Sequence, residues 1–425
     1  MPSTPHPVQK EILPNGLVVL TEPMDHVHSV SVGIWVRSGS RREPAELNGI
    51  SHFIEHMVFK GTSRRSAEDI AREVDRVGGM LDAFTSKELV CFNTRVLAEH
   101  LPQAFDVLAD MVLDPKFAPE DIAREQSVIL EEIRMTQDNP EDLVHELFTQ
   151  NFWSSHALGR PILGTPETVS VFTRDALFKW FRRAYAPGEI VITAAGRITH
   201  EQLVALVTTH FEALVPADAA APDAAPRAVP HITLRSKREL EQVHVCLGVP
   251  AIPITDKRRF AASVLSGVLG GGMSSRLFQQ IRERLGLAYA IFSDLNSYHD
   301  TGVLSVYAGT SLETTAQLVR AVLDEFRRLA DEPLSEEELR HSKDHLKGAT
   351  LLALEGSGQR MSSLARSHIY FGRHFTPEEL IAMLEAVTPA DVLALAREFF
   401  SPARLAASVV GPLDGFQLTR DQLAF

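Results

Sequence analysis

The sequence predicts an α+β fold built twice: two related domains, each a mainly antiparallel sheet with helices packed on one face. Three observations lead there. The chain has 425 residues, too many for one ordinary core and enough for two domains of about 200. Residues 216–230, PADAAAPDAAPRAVP, contain four prolines and no apolar periodicity, and they fall near the middle as a linker. The segments on either side of it repeat one plan. The expected division is 1–215 for the first domain, 216–230 for the linker and 231–425 for the second domain.

Each half opens with a strand-like run, Ser29–Val36 (SVSVGIWV) in the first and 242–249 (QVHVCLGV) in the second. Each run leads to a helix that ends near glycines: 48–59 before Gly61, and 259–269 before Gly270, Gly271 and Gly272. The second glycine run continues with Met273 and Ser274, not with the Lys-Ser or Lys-Thr of a phosphate cradle, and reads as a loop between helices. Ser66 and Asp69 form a capping-box pattern ahead of Ile70, Val74 and Val77, an apolar stripe at helical spacing that stops at Gly78. Residues 81–96 read as two strands around a turn at 86–88. Pro119 opens a further helix with Glu120 and Asp121 at its positive end, and Asn139-Pro140 closes it.

Hydrophobic content of 44% and charged content of 23% are those of a globular chain. The formal charge of -13 argues against nucleic acid, which needs a basic face. Two cysteines, Cys91 and Cys246, make no disulfide framework and point to a reducing compartment. No apolar run reaches the roughly 18 residues of a membrane span, and no signal is read at the start. The expected location is the cytoplasm of a bacterial-type cell, with no membrane partner.

Residues 48–59 read NGISHFIEHMVF. On a helix, His52 and His56 lie one above the other, four residues apart, and can share one tetrahedral metal. Glu55 sits about 100° around the helix from His56, near enough to address a metal-bound water without binding the metal. This is H-x-x-E-H, the reverse of the H-E-x-x-H zinc motif. Ile50, Phe53, Ile54, Met57 and Val58 make the helix largely buried, so its histidines and carboxylate need partners. A third ligand must come from elsewhere, and the helix after Pro119 offers Glu125, Glu131 and Glu132. Glu125 and Glu132 are seven apart and share a face, with Val128 between them and Ile122, Ile129 and Ile133 close by.

His52-Phe53-Ile54-Glu55-His56, followed downstream by Glu131-Glu132 within VILEEI, resembles the pitrilysin/insulinase family of zinc metallopeptidases. Its short bacterial branch, similar to the mitochondrial processing peptidase, is the nearest match. The resemblance covers nearly the whole chain and implies one zinc ion per chain held by His52, His56 and Glu132. It implies Glu55 as general base and Glu125 as the carboxylate that orients a ligand imidazole. Gly79, Leu81, Asp82, Ala83 and Phe84 resemble the edge strand that holds a peptide substrate as an added strand. Asp82 departs from the asparagine usual there, and an ionised aspartate donates no hydrogen bond. Arg282 and Tyr289, in IRERLGLAY, resemble the Arg–Tyr pair that binds substrate and steadies the developing oxyanion.

The same resemblance implies a second domain without metal, a chain forming half of a clamshell, and a homodimer, with a heterodimer of related chains as the other arrangement. In such a dimer Arg282 and Tyr289 serve the partner's zinc. The expected function is zinc-dependent hydrolysis of unfolded peptides. The alternatives are a non-catalytic subunit of a heteromeric processing peptidase or other assembly, and a zinc-bound binding module. Against these stand the full metal set and the base at Glu55, since a purely structural zinc site closes all four positions with protein ligands.

Overall fold

The computed structural model describes residues 8–215 and 224–425; residues 216–223 of the expected linker lie outside them. In the first half the chain runs through β1 (Gln9–Ile12), β2 (Val18–Pro23), β3 (Ser29–Val36), α1 (Ile50–Val58), α2 (Ala67–Asp75), β4 (Met80–Thr85) and β5 (Val90–Leu97). There follow α3 (Leu101–Leu113), α4 (Pro119–Asp138), α5 (Pro140–Phe152), α6 (Pro166–Val169), α7 (Arg174–Ala184), β6 (Ile190–Gly196) and α8 (His200–Phe211). The second half begins with β7 (Ile232–Ser236), β8 (Val243–Ala251), α9 (Arg259–Gly270), a π-helix over Phe278–Arg284, β9 (Ile291–Ser297) and β10 (Gly302–Thr310). It ends with α10 (Thr315–Asp331), α11 (Glu336–Ala353), α12 (Ser357–Phe371), α13 (Pro377–Glu385), α14 (Pro389–Phe399) and β11 (Ala406–Gly411).

Two compact units result. One comprises the described residues of Met1–Ile133, Arg160–Asp223 and Leu352–His374; the other comprises those of Arg134–Gly159, Ala224–Leu351 and Phe375–Phe425. The first sheet has the order β1-β2-β6-β3-β5-β4 and the second β7-β11-β8-β10-β9. Both are mainly antiparallel, with one parallel pair each, β2 with β6 and β11 with β7. The five strands of the second sheet match β2, β6, β3, β5 and β4 of the first, position for position. The α+β class and the duplication therefore hold at the level of strand order.

The units are not the two continuous segments expected from the linker. Each sheet has one face packed against helices of its own half and the other covered by a single helix from the opposite half. In the first unit Val30, Val32, Ile34 and Val36 of β3 face a core with Phe53, Met57, Phe105 and Leu108. Ser31, Gly33 and Trp35 alternate to the other face, where α12 lies. Ser31 and Ser357 pair their hydroxyls at 2.9 Å, and Trp35 packs with Met361 and Ala365. In the second unit α5 does the same, placing Val144, Phe148 and Phe152 against Cys246, Tyr307 and Val410. The close approach demands a glycine in each case. A Cβ on Gly33 would lie 2.5 Å from Met361 Sδ, and one on Gly248 would lie 2.6 Å from Phe148 Cζ. Continuous apolar runs such as SVSVGIWV are what a strand buried on both faces needs.

Candidate active site

Helix α1 is built for burial on one side. Ile50, Phe53, Ile54, Met57 and Val58 are fully enclosed in the first unit's core. Its start is held by a carboxylate that stands outside the helix. Gly49 N–H donates to Glu43 Oε2 at 2.7 Å, and Ser51 N–H donates to Glu43 Oε1 at 2.8 Å. Asn48 Nδ2 adds a third bond to Glu43, at 3.2 Å. These are first-turn amides with no partner inside the helix, and an anion is favourable at that end. Glu43 is only 2% exposed. Burial pushes its carboxyl above the ordinary value, and the backbone and side-chain donors pull it back. Removing the cap strands buried amides, at about 1–3 kcal/mol each. Gly49 itself takes φ +94°, in the left-handed region that favours glycine.

The opposite side of α1 presents His52 and His56, with ring centroids 4.6 Å apart. Helix α4 packs Ile122, Ile129 and Ile133 into the core and brings Glu125 and Glu132 to the histidines. Glu132 Oε2 lies 3.8 Å from His52 Nε2, and Glu132 Oε1 lies 3.6 Å from His56 Nε2. One ligand atom from each of the three residues falls within 4.8 Å of the others. Tetrahedral zinc with bonds of about 2.0–2.1 Å holds its ligand atoms about 3.4 Å apart. The two nitrogens and the carboxylate are therefore close to the spacing zinc requires, and the His2Glu set suits zinc rather than hard-oxygen metals. Burial pushes the His52 imidazolium down to about 3, with the charge of His56 acting in the same direction. His52 is thus neutral at pH 7, the form that ligates metal. Val128, on the face shared by Glu125 and Glu132, is 44% exposed.

Glu125 reaches His56 from behind. Its Oε2 lies 3.1 Å from His56 Nδ1, and its Oε1 lies 2.8 Å from Lys60 Nζ. Glu55 is hydrogen-bonded by the Thr85 hydroxyl, which donates to Oε2. Burial raises the Glu55 carboxyl above its ordinary value, while the Thr85 bond and the charge of His56 work against the rise. Thr85 ends β4, the outer strand of the first sheet, which among the described residues pairs only with β5. Gly79 precedes that strand; Leu81 and Ala83 alternate with the exposed Met80, Asp82 and Phe84. The Asp82 carboxylate accepts a hydrogen bond from the Ala83 amide at 2.9 Å. In the second unit the Arg282 guanidinium stands 4.6 Å from the centre of the Tyr289 ring, so that pair is assembled, and Tyr289 is 78% exposed.

Comparisons with known proteins give the family. Residues 18–166 match the family model described as Insulinase (Peptidase family M16), and residues 172–346 match the one described as Peptidase M16 inactive domain. A zinc protease of Streptomyces coelicolor, itself uncharacterized, is 41% identical over 97% of this chain and 91% of its own. The chain belongs to the insulinase family, peptidase family M16. The uncharacterized zinc protease YmxG of Bacillus subtilis is 40% identical over 91% of this chain and 94% of its own. A protease from Helicobacter pylori shares the fold with a TM-score of 0.89 at 22% identity, over 96% of this chain and all of that one, 100%. A peptidase M16 inactive domain from Pseudomonas fluorescens does so with a TM-score of 0.90 at 20% identity, over 95% and 98%.

Within this M16 chain the sequence reading missed three residues around the candidate site: Glu43, Lys60 and Thr85. Lys60 had a local signal, because it lies four residues after His56 and so above it on the same face. Thr85 had none, since its contact with Glu55 depends on how α1 lies against β4. Glu43 is an extended residue between two short 3-10 turns, Ser40–Arg42 and Ala45–Leu47, ahead of the helix, and its capping role becomes visible only when the chain turns back on itself. Among the described residues no helix is long and apolar enough to cross a membrane.

Proposed function

We propose that this protein is a zinc-dependent endopeptidase that hydrolyses unfolded peptides held as an added strand along β4. The observation that carries the reading is the convergence of His52 Nε2, His56 Nε2 and a Glu132 carboxylate oxygen, with Glu55 on the same helix. His52, His56 and Glu132 would hold the ion, and a zinc ion so bound supplies Lewis acidity toward a water and toward the scissile carbonyl. Glu55 takes the proton of the attacking water and delivers it to the leaving amine. Its partly buried setting and the Thr85 hydroxyl fix where that proton goes. Glu125 holds His56 through its other ring nitrogen. The open edge of β4 binds substrate main chain, which gives broad sequence tolerance.

Glu55→Gln tests this directly. The variant keeps its shape and cannot accept a proton, so it should retain zinc and bind peptide while turnover of a quenched peptide falls about 10²–10⁴-fold. Near wild-type turnover in that variant sinks the assignment.

We propose further that the working form is a homodimer in which Arg282 and Tyr289 of one copy serve the zinc site of the other. The support is that one chain carries both the metal set and the assembled Arg–Tyr pair. Mixing Glu55→Gln with Tyr289→Phe, with subunit exchange shown by mass-tagged chains, should restore about a quarter of wild-type activity. Exchange without recovery contradicts the shared arrangement. Two free, buried thiols, Cys91 and Cys246, support action in a reducing cytoplasm.

A further inference from the structure

The two histidines of the candidate metal site are held unequally. His52 Nδ1 is buried and has no hydrogen-bond partner. His56 Nδ1 faces Glu125 Oε2 at 3.1 Å, and the other oxygen of that carboxylate faces Lys60 Nζ at 2.8 Å. The Glu125 side chain is 6% exposed, so its two oxygens are divided between one imidazole and one ammonium. Lys60 is tied to the same piece of chain as His56. It lies just past α1, after the C-cap Phe59, and its amide donates to Met57 O at 3.1 Å, carrying the helical turn onward. The Lys60 side chain therefore reaches Glu125 from a backbone position one turn beyond the histidine.

We infer that Lys60 is a positioning residue for the zinc ligand His56, acting through Glu125. A nearly buried carboxylate with a single imidazole partner has a second oxygen to satisfy and a charge to balance. Lys60 does both. It fixes the rotation of the carboxylate so that Oε2 stays on His56 Nδ1, which in turn aims His56 Nε2 toward Glu132 and the metal position. The chain Lys60–Glu125–His56 thus extends the usual carboxylate–histidine arrangement outward by one charged member. Arginine can supply the charge, whereas methionine fills the same length of space without it.

This inference rests on the zinc reading above, and its test separates the two. Zinc affinity is measured by chelator competition on the full-length protein for wild type, Lys60→Met, Lys60→Arg, Glu125→Gln and the double variant Lys60→Met/Glu125→Gln. The melting temperature of each zinc-stripped protein is measured alongside. Wild type should bind about one zinc per chain; failure there removes the zinc reading itself. Given binding, Lys60→Met should weaken zinc affinity about tenfold, with little change in the stripped protein's melting temperature, and Lys60→Arg should restore most of it. In the Glu125→Gln background Lys60→Met should have almost no further effect, because the carboxylate through which it acts is gone. Unchanged or tighter zinc binding in Lys60→Met overturns the role. So does full additivity of the two substitutions, and so does a loss that follows the melting temperature of the stripped protein and not the charge at residue 60.

Discussion

Helices α1 and α9 stand at the same place in the order of their units, each directly after an inner strand of its sheet. α1 carries His52, Glu55 and His56; α9 reads RFAASVLSGVLG, with no histidine, cysteine or carboxylate. The difference extends to the helix that follows later in each unit. α4 turns Glu125 and Glu132 toward α1, while Ser342 of α11 meets α9 at Gly267, where an added Cβ would sit 3.2 Å from the serine hydroxyl oxygen. The second unit nevertheless builds the same order of strands and encloses its own core. The scaffold does not require a metal. Ligands are an addition to it, and they are costly, because the first unit must bury His52, Glu43 and Glu125 to place them.

The comparison can be sharpened by substitutions that return the first unit toward the second. The largest effect belongs to Glu55→Gln, as set out above. A smaller one belongs to Thr85, the residue through which β4 touches the base. Thr85→Val should lower kcat about tenfold with zinc content unchanged, and Thr85→Ser, which keeps the hydroxyl, should stay near wild type. If Thr85→Val raises KM alone, the residue belongs to substrate pairing and not to Glu55.

Much of the fold was legible because its signals are local. The helix opened by Pro119 and closed before Asn139-Pro140 is α4, and the Ser66–Asp69 capping box is formed in full. The strands around residues 86–88 are β4 and β5. His52, Glu55 and His56 could be placed on one helix by spacing alone. Glu132 and Glu125 could be narrowed only to a helix face, and the family resemblance singled them out. The exchange of α5 and α12 was not read, because it is a long-range packing outcome. Its trace was present in strands too apolar to have one wet face, and in Gly33 and Gly248, where a side chain would collide with the crossing helix. Asp82 shows the reverse case: a departure visible in sequence, whose carboxylate is occupied by the next residue's amide.

The central claim is that His52, His56 and Glu132 of the first unit hold one zinc ion and that the neighbouring Glu131 does not. Zinc content per chain, measured on wild type, His56→Ala, Glu132→Gln and Glu131→Gln purified identically, tests it most directly. About one zinc in wild type and in Glu131→Gln, with near-complete loss in His56→Ala and Glu132→Gln, is the predicted result. Full zinc in His56→Ala or Glu132→Gln, or its loss in Glu131→Gln alone, contradicts the account.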